Sequence, residues 1–299
     1  DGTECDVVAF TNISRDHLDF HGDIENYFQA KRKLFELESR AQIVNIDDEY
    51  GVRLAREFPR ALTFSTEREA DYTATDIEFS GQQTEFTLNL RRQKVRVQIP
   101  LTGHFNVQNA LVAAAAGDQL GATVEQIKVG LLNTEQVPGR MEFVDAGQQF
   151  RVIVDFAHNP DGLEALLSHA QEITSGRVIA VVGAVGERDR GKRPVMGEIA
   201  SRLSDHLIVT TDDSFSEDPM VVIDDLLSGT GPGTERVNDR REAFARAIAL
   251  AQPDDTVVIA GRGHEPVLMV QETHTPFLDA NVAREELQKR LAADRAAAS

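Results

Sequence analysis

In TNISRDHLDFHG, residues 11–22, Asp16, His17, Asp19 and His21 fall within six positions, directly after the apolar run DVVAF. Two imidazoles and two carboxylates at the end of a strand can bind a metal, handle protons or cap a helix. His17 and His21 have the i,i+4 spacing of a zinc-binding helix, but the glutamate of HExxH is absent. Oxygen-rich surroundings favour magnesium, which keeps most of its waters and prefers substrate phosphates. The plainer alternative is that Asp16 or Asp19 caps the coming helix.

Lys31 lies in the next segment, DIENYFQAKRKLFELE, on the face marked by Ile24, Tyr27, Phe28, Leu34 and Phe35. A lysine there either snorkels, burying its stem and keeping its ammonium wet, or is desolvated with a lowered pKa. A neutral amine can add carbon dioxide to give a carbamate, which inverts its charge and makes it a potential metal ligand. GERDRGKR, residues 186–193, nearly matches a phosphate loop but has Arg193 where Ser or Thr would hold magnesium. Its four cations suit a carboxylate ligand better, or simply a solvated turn. GRGHE, residues 261–265, offers glycines for close backbone approach. TTDDSFSEDP supplies carboxylates, or only a turn and an N-cap.

Strands must place these groups. DVVAFTN and QIVNI read as buried strands, with EYGVRLAREF as a helix after the second. Between Ala70 and Pro100 the alternation of YTATDIEFS, TEFTLNL and KVRVQIPL predicts antiparallel hairpins. HFNVQNALVAAAAGDQLG reads as a small-residue helix and NTEQVPGRME as a linker. Then FRVIVDF, RVIAVVGAV, HLIVTT and TVVIAGRG alternate with helical segments, which predicts a parallel α/β sheet. Ligands of such sheets sit at the carboxyl ends of the strands. Asp155, His158, residues 183–193, residues 212–218 and residues 261–265 all follow apolar runs.

The 299 residues suffice for one large domain or two ordinary ones. A net charge of −18 argues against nucleic acid as a partner. The single cysteine, Cys5, suits a reducing cytoplasm, and no apolar run reaches the length of a membrane span. DGTECDVVAF enters a strand at once, so the chain reads as beginning inside a longer one.

Together, TNISRDHLDFHG, YFQAKRKLF, GHFNVQNALVA, VPGRME, VDFAHNPDGL, GERDRGKRP, SEDP and GRGHE resemble the Mur ligases, ATP-dependent enzymes that build the peptide stem of peptidoglycan. The resemblance is to the branch that adds the third amino acid. It implies an α/β fold in two parts. Residues 1–143 would be the later part of the central ATP-binding domain, with a small antiparallel sheet. Residues 144–299 would be a Rossmann-like C-terminal domain that binds the amino acid. The implied cofactors are ATP and Mg2+; the implied partners are a UDP-N-acetylmuramoyl dipeptide and a diamino acid, met by a cytoplasmic monomer. Residue by residue, His17 would support magnesium, and a carbamylated Lys31 would hold magnesium and the acyl phosphate. Asn106 and Asn109 would contact the nucleotide, Asp155 the adenosine and Arg140 the phosphates. Arg188, Asp212, Asp213, Gly261 and Glu265 would hold the incoming amino acid.

Two departures shape the expectation. The family's GTxGKT phosphate loop is not in these residues, so the chain by itself is expected to be inactive. Where diaminopimelate-using members carry DNPR, this chain reads Asp212-Asp213-Ser214-Phe215. A cation is lost and an anion gained, which favours lysine or ornithine over diaminopimelate. The rival readings are another Mur-like amide ligase, of the folylpolyglutamate or cyanophycin type, and a non-catalytic Mur-like binding module.

Overall fold

The computed structural model describes residues 4–16, 18–91 and 93–297. The chain divides into two compact units, Asp1–Glu135 and Gln136–Ser299.

The first unit is built on a six-stranded sheet in simple sequence order. β1 (Val7–Phe10), β2 (Ala41–Asn45), β3 (Leu62–Ser65) and β4 (Tyr72–Ser80) run parallel. β4, β5 (Gln83–Leu90) and β6 (Gln93–Ile99) form the expected antiparallel meander. The helices are α1 (Leu18–His21), α2 (Ile24–Arg32), α3 (Glu49–Glu57), α4 (His104–Gln119) and α5 (Val124–Leu132). Ala110, Ala114 and Ala115 of α4 are buried in one core with Phe64, Phe86 and Leu88 of the sheet. Small side chains let that helix lie close to the strands.

Two local expectations change. The N-cap of α2 is Asp23, which accepts from the Asn26 amide at 2.7 Å; Asp16 does not serve it, and the side chain of Asp19 lies outside the described residues. After Arg32 the helix tightens into a 3-10 turn, Lys33–Glu36. Three residues per turn rotate later side chains off the α-helical face. Phe35 stays buried, but Leu34 is 38% exposed.

The second unit carries a sheet ordered β11-β10-β9-β12-β8-β7. These strands are β7 (Glu142–Phe143), β8 (Arg151–Asp155), β9 (Val178–Val182), β10 (His206–Val209), β11 (Glu235–Arg236) and β12 (Thr256–Ala260). All neighbours are parallel except β7, which runs antiparallel to β8. Continuous burial of VIAVV in β9 and TVVIA in β12 is what a sheet covered on both faces requires. The helices are α6 (Pro160–Ile173), α7 (Lys192–Leu203), α8 (Pro219–Leu227), α9 (Arg240–Leu250) and α10 (Asp279–Ala297). A hairpin, β13 (Val267–Val270) and β14 (Thr273–Pro276), follows β12.

VPGRME is more than a linker. The Met141 amide donates to Asp155 Oδ2 at 2.7 Å, and Glu142–Phe143 pairs with β8. This is why the compact unit begins earlier than the boundary at 143/144 read from the sequence. A chain of residues 136–299 should therefore resist urea better than one of residues 144–299. Losing the β7 pairing and the bond that holds a buried carboxylate should lower stability by about 2–3 kcal/mol. Equal urea midpoints would refute this account of the segment.

Candidate functional site

In the first unit, the parallel strands end on polar residues. Asp47, just past β2, accepts from the Ser65 hydroxyl, the Thr66 amide at 2.8 Å and the Thr66 hydroxyl at 3.0 Å. Gln108 Nε2 of α4 reaches the same carboxylate at 3.3 Å. One carboxylate thus ties β2, β3 and α4 together. Gly103, at φ 103°, starts α4, and Asn106 lies buried in the first turn with Nδ2 donating to Thr102 O at 2.8 Å. Asn109 is exposed and donates to Asn106 Oδ1 at 3.3 Å. The two asparagines therefore touch, on one face of the helix.

Lys31 is partly buried, with Nζ 4.9 Å from the centre of the Tyr27 ring. Tyr27 stacks on His21 with centroids 4.7 Å apart and planes 19° apart. The lysine therefore sits against an aromatic face rather than inside the apolar core. His17 lies outside the described residues, as does the side chain of Asp19. Among the described residues no three His, Cys, Asp or Glu side chains gather around a common metal position. A magnesium ion held largely by waters and phosphates needs only one or two protein oxygens.

In the second unit the expected residues do collect at the carboxyl ends of the strands. Asp155 ends β8 and is buried. Its two oxygens accept from the Met141 and Ala157 amides, both at 2.7 Å. Burial pushes its carboxyl above the usual range, against those two amides and the nearby charges of Arg140 and His158. Arg140 is exposed, with its guanidinium 4.6 Å from the Phe156 ring centre. Phe156 also packs against His158 and His264, at 4.7 and 5.2 Å between centroids. Gly139, at φ 66°, leaves no room for a Cβ against Gly263 and His264, so VPGR and GRGHE meet backbone to backbone. An exposed, ring-backed guanidinium beside a glycine loop is suited to an anion.

GERDRGKR behaves differently from the four-cation reading. Arg193 is fully buried and pairs with Glu217 and, at 2.9 Å, with Asp225. Arg190 also reaches Asp225, at 3.0 Å. Glu187 accepts from the Ser216 amide and hydroxyl, and Glu217 from the Glu187 amide. Two of the cations thus clamp this loop to the SEDP segment; Arg188 is exposed. Asp218 caps α8, as the plainer reading of that segment expected.

Asp212 and Asp213 are both buried. Asp213 pairs with Arg262 and accepts from the Met269 amide at 2.7 Å. Its carboxyl is pushed up by burial, with Asp212 adding to the effect and Met269 and Arg262 opposing it. The glycines of this end are needed for space. A Cβ on Gly183 or Gly261 would run into Asp212, and Gly261 has φ 120°. Glu265 is partly buried, its amide bonded to Arg262 O at 3.0 Å. Sequence reading passed over Arg262, which is almost fully buried here.

Residues 1–117 match the Mur ligase middle domain and residues 139–263 the Mur ligase glutamate ligase domain. The UDP-N-acetylmuramoyl-L-alanyl-D-glutamate–2,6-diaminopimelate ligase of Thermosynechococcus vestitus is 42% identical over 97% of this chain and 60% of its own length. That of Clostridium tetani is 38% identical over 96% of this chain and 60% of its own length. A solved structure of an enzyme of the same name superposes with a TM-score of 0.63 at 32% identity, over 96% of this chain and 61% of that one. The chain thus spans about 60% of the length of the relatives it matches. It is a member of the Mur ligase family, made up of middle-domain and C-terminal-domain sequence.

Proposed function

We propose that this chain is part of an ATP-dependent ligase that adds the third amino acid of the stem peptide to UDP-N-acetylmuramoyl-L-alanyl-D-glutamate. The observation that carries the reading is identity of about 40% along nearly the whole chain to enzymes named for that reaction. In the proposed reaction the D-glutamyl carboxylate takes the γ-phosphoryl group of ATP, giving an acyl phosphate and ADP. The amine of the incoming amino acid then attacks the acyl carbon, phosphate leaves, and an amide bond remains. Arg140 would neutralise phosphate charge, Asn106 and Asn109 would meet the nucleotide, and Asp155, which accepts from the Met141 amide, would border the adenosine. Magnesium, when bound, supplies charge neutralisation at the phosphates; His17 and the Lys31 carbamate would hold it. Arg188 takes the α-carboxylate of the amino acid, and Glu265 and the Gly261 backbone its amine, with Asp212 and Asp213 behind them. ATP and a UDP-linked substrate place the reaction in the cytoplasm.

For the amino acid itself we propose L-lysine or L-ornithine, because the sequence Asp212-Asp213-Ser214-Phe215 offers no guanidinium to a second carboxylate. A second reading, diaminopimelate (tested as the meso isomer), is favoured by the names of the relatives, which specify 2,6-diaminopimelate. The test of the ligase reading is phosphate release by the full-length enzyme. Release that requires both the UDP-dipeptide and an amino acid supports it. Release with a folate or with arginine–aspartate polymer would favour the other Mur-like ligases, and none with any acceptor would favour a binding module.

The 299 residues by themselves should bind ATP only weakly, with Kd above roughly 100 μM, since they contain no GTxGKT loop. Titration calorimetry with ATP and magnesium measures this directly, and micromolar binding would contradict the assignment of phosphate contacts.

A further inference from the structure

Arg262 is 1% exposed and stands where three segments of the second unit meet. Its guanidinium is in ion-pair contact with Asp213, 3.6 Å from Asp212 and 3.9 Å from Asp279. Nη2 donates to Val267 O, at the root of the β13–β14 hairpin, at 2.6 Å, and lies 3.4 Å from Glu265 O. Nε and Nη1 make no hydrogen bond of good geometry, so charge rather than hydrogen bonding holds that side of the group. Behind it, Arg240 and Asp279 form a fully buried pair at 2.5 Å. The hairpin is itself laid along the segment after β10. The Phe215 amide donates to Met269 O at 3.3 Å, the Met269 amide to Asp213 Oδ1, and Phe215 bridges to Val270. The guanidinium at this junction is closed to water.

We propose that Arg262 is a positioning residue for the amino-acid site. It balances Asp213 and fixes the hairpin root, and so sets the distance between the Gly261–Glu265 loop and the Asp212–Phe215 segment. This rests on the ligase reading above only for what the site binds. The guanidinium does two separable things. It compensates buried carboxylate charge, which any cation of the right reach could partly do. It also spans from Asp213, held by charge, to Val267 O, held by a hydrogen bond, which needs the width of a planar guanidinium.

The test combines stability and kinetics. In the 299-residue chain, Arg262→Met should lower Tm by roughly 5–10 °C, because it leaves buried carboxylates without their partner. Adding Asp213→Asn should regain most of that loss. In the full-length enzyme, Arg262→Met with Asp213→Asn should still raise KM for the amino acid about tenfold or more above that of Asp213→Asn alone, while KM for ATP changes less than about twofold, since the guanidinium bridge is gone. Arg262→Lys should keep most of the stability and lose part of the amino-acid affinity. A double variant no more stable than Arg262→Met would overturn the charge-balance role. An unchanged amino-acid KM in a folded variant, or parallel rises in both KM values, would overturn positioning. A wild-type enzyme that joins no amino acid would refute the ligase reading, and the Tm comparison would still decide the role of Arg262 in the network.

Discussion

Lys31→Ala in the full-length enzyme should cut turnover by on the order of 10²–10³, the usual cost of removing one group that stabilises transferring charge. Stability should hardly move. The side chain is only partly buried, and its contact with the Tyr27 ring is worth about 0.5–1 kcal/mol at such a site. A loss of activity worth several times the loss of stability is the signature of a functional group. The chemistry behind it is addition of carbon dioxide. The ammonium first gives one proton to solvent; the freed Nζ lone pair then forms a bond to the carbon, a second N–H proton passes to solvent, and the side chain becomes an anion. That anion has no reason to stay over the electron-rich face of Tyr27, so carbamylation should also free the arm to reach magnesium. Lys31→Arg keeps a cation over the ring but cannot add carbon dioxide, and should be as inactive as the alanine variant. Bicarbonate should rescue neither, whereas a short-chain carboxylic acid should partly restore Lys31→Ala by supplying the missing carboxylate. Full activity in Lys31→Ala would end the proposal; an active Lys31→Arg would show that only the positive charge matters.

The sheets were legible because their signals are local. Period-two alternation marked β4, β5 and β6, and unbroken apolar runs marked β8, β9, β10 and β12. Knowing where those strands end was enough to place Asp155, Gly183, Asp212 and Gly261 at one edge of one sheet. What stayed hidden depends on partners far along the chain. Leu34 reads as core by helical spacing, and only the tightening after Arg32 turns it outward. VPGRME carries the proline and glycine of a linker, yet its methionine amide is bound by a carboxylate on β8. Arg193 opens α7 directly after one glycine-containing loop and Arg262 lies within another, places where arginines are usually solvated. Each is buried because a carboxylate more than twenty positions away is waiting for it. Charge pairing of that kind leaves no periodic trace in a sequence.

The full-length enzyme should prefer L-lysine or L-ornithine to meso-diaminopimelate by at least about tenfold in kcat/KM, one factor of ten per 1.4 kcal/mol. All three amino acids share the α-amino and α-carboxyl groups that Arg188, Gly261 and Glu265 would hold. They differ at the far end, where diaminopimelate brings a second carboxylate that calls for an arginine fork. Phe215 stands at the position in question, in a left-handed conformation at φ 49° and bridged to Val270, and offers only a ring. A charged hydrogen bond is worth about 1.5–3 kcal/mol, and none is available here to a second carboxylate from that position. The direct role of Asp213 is narrower than its sequence suggested, because Arg262 and the Met269 amide already engage it. Its contribution is collective. Asp212, Asp213 and Asp279 outnumber the two guanidiniums they contact, Arg240 and Arg262, so this cluster should favour an ammonium and oppose an anion. Lysine and ornithine differ by one methylene, worth about 1–3 kcal/mol at most, and this arrangement does not rank them. A competition assay with all three amino acids measures the ratio, and a preference for meso-diaminopimelate would refute the pocket argument and leave the second reading. Asp213→Asn with Phe215→Arg supplies the missing guanidinium and removes one anion, and should raise diaminopimelate use while lowering lysine use. A loss of lysine use with no gain for diaminopimelate would mean that a different loop sets the choice.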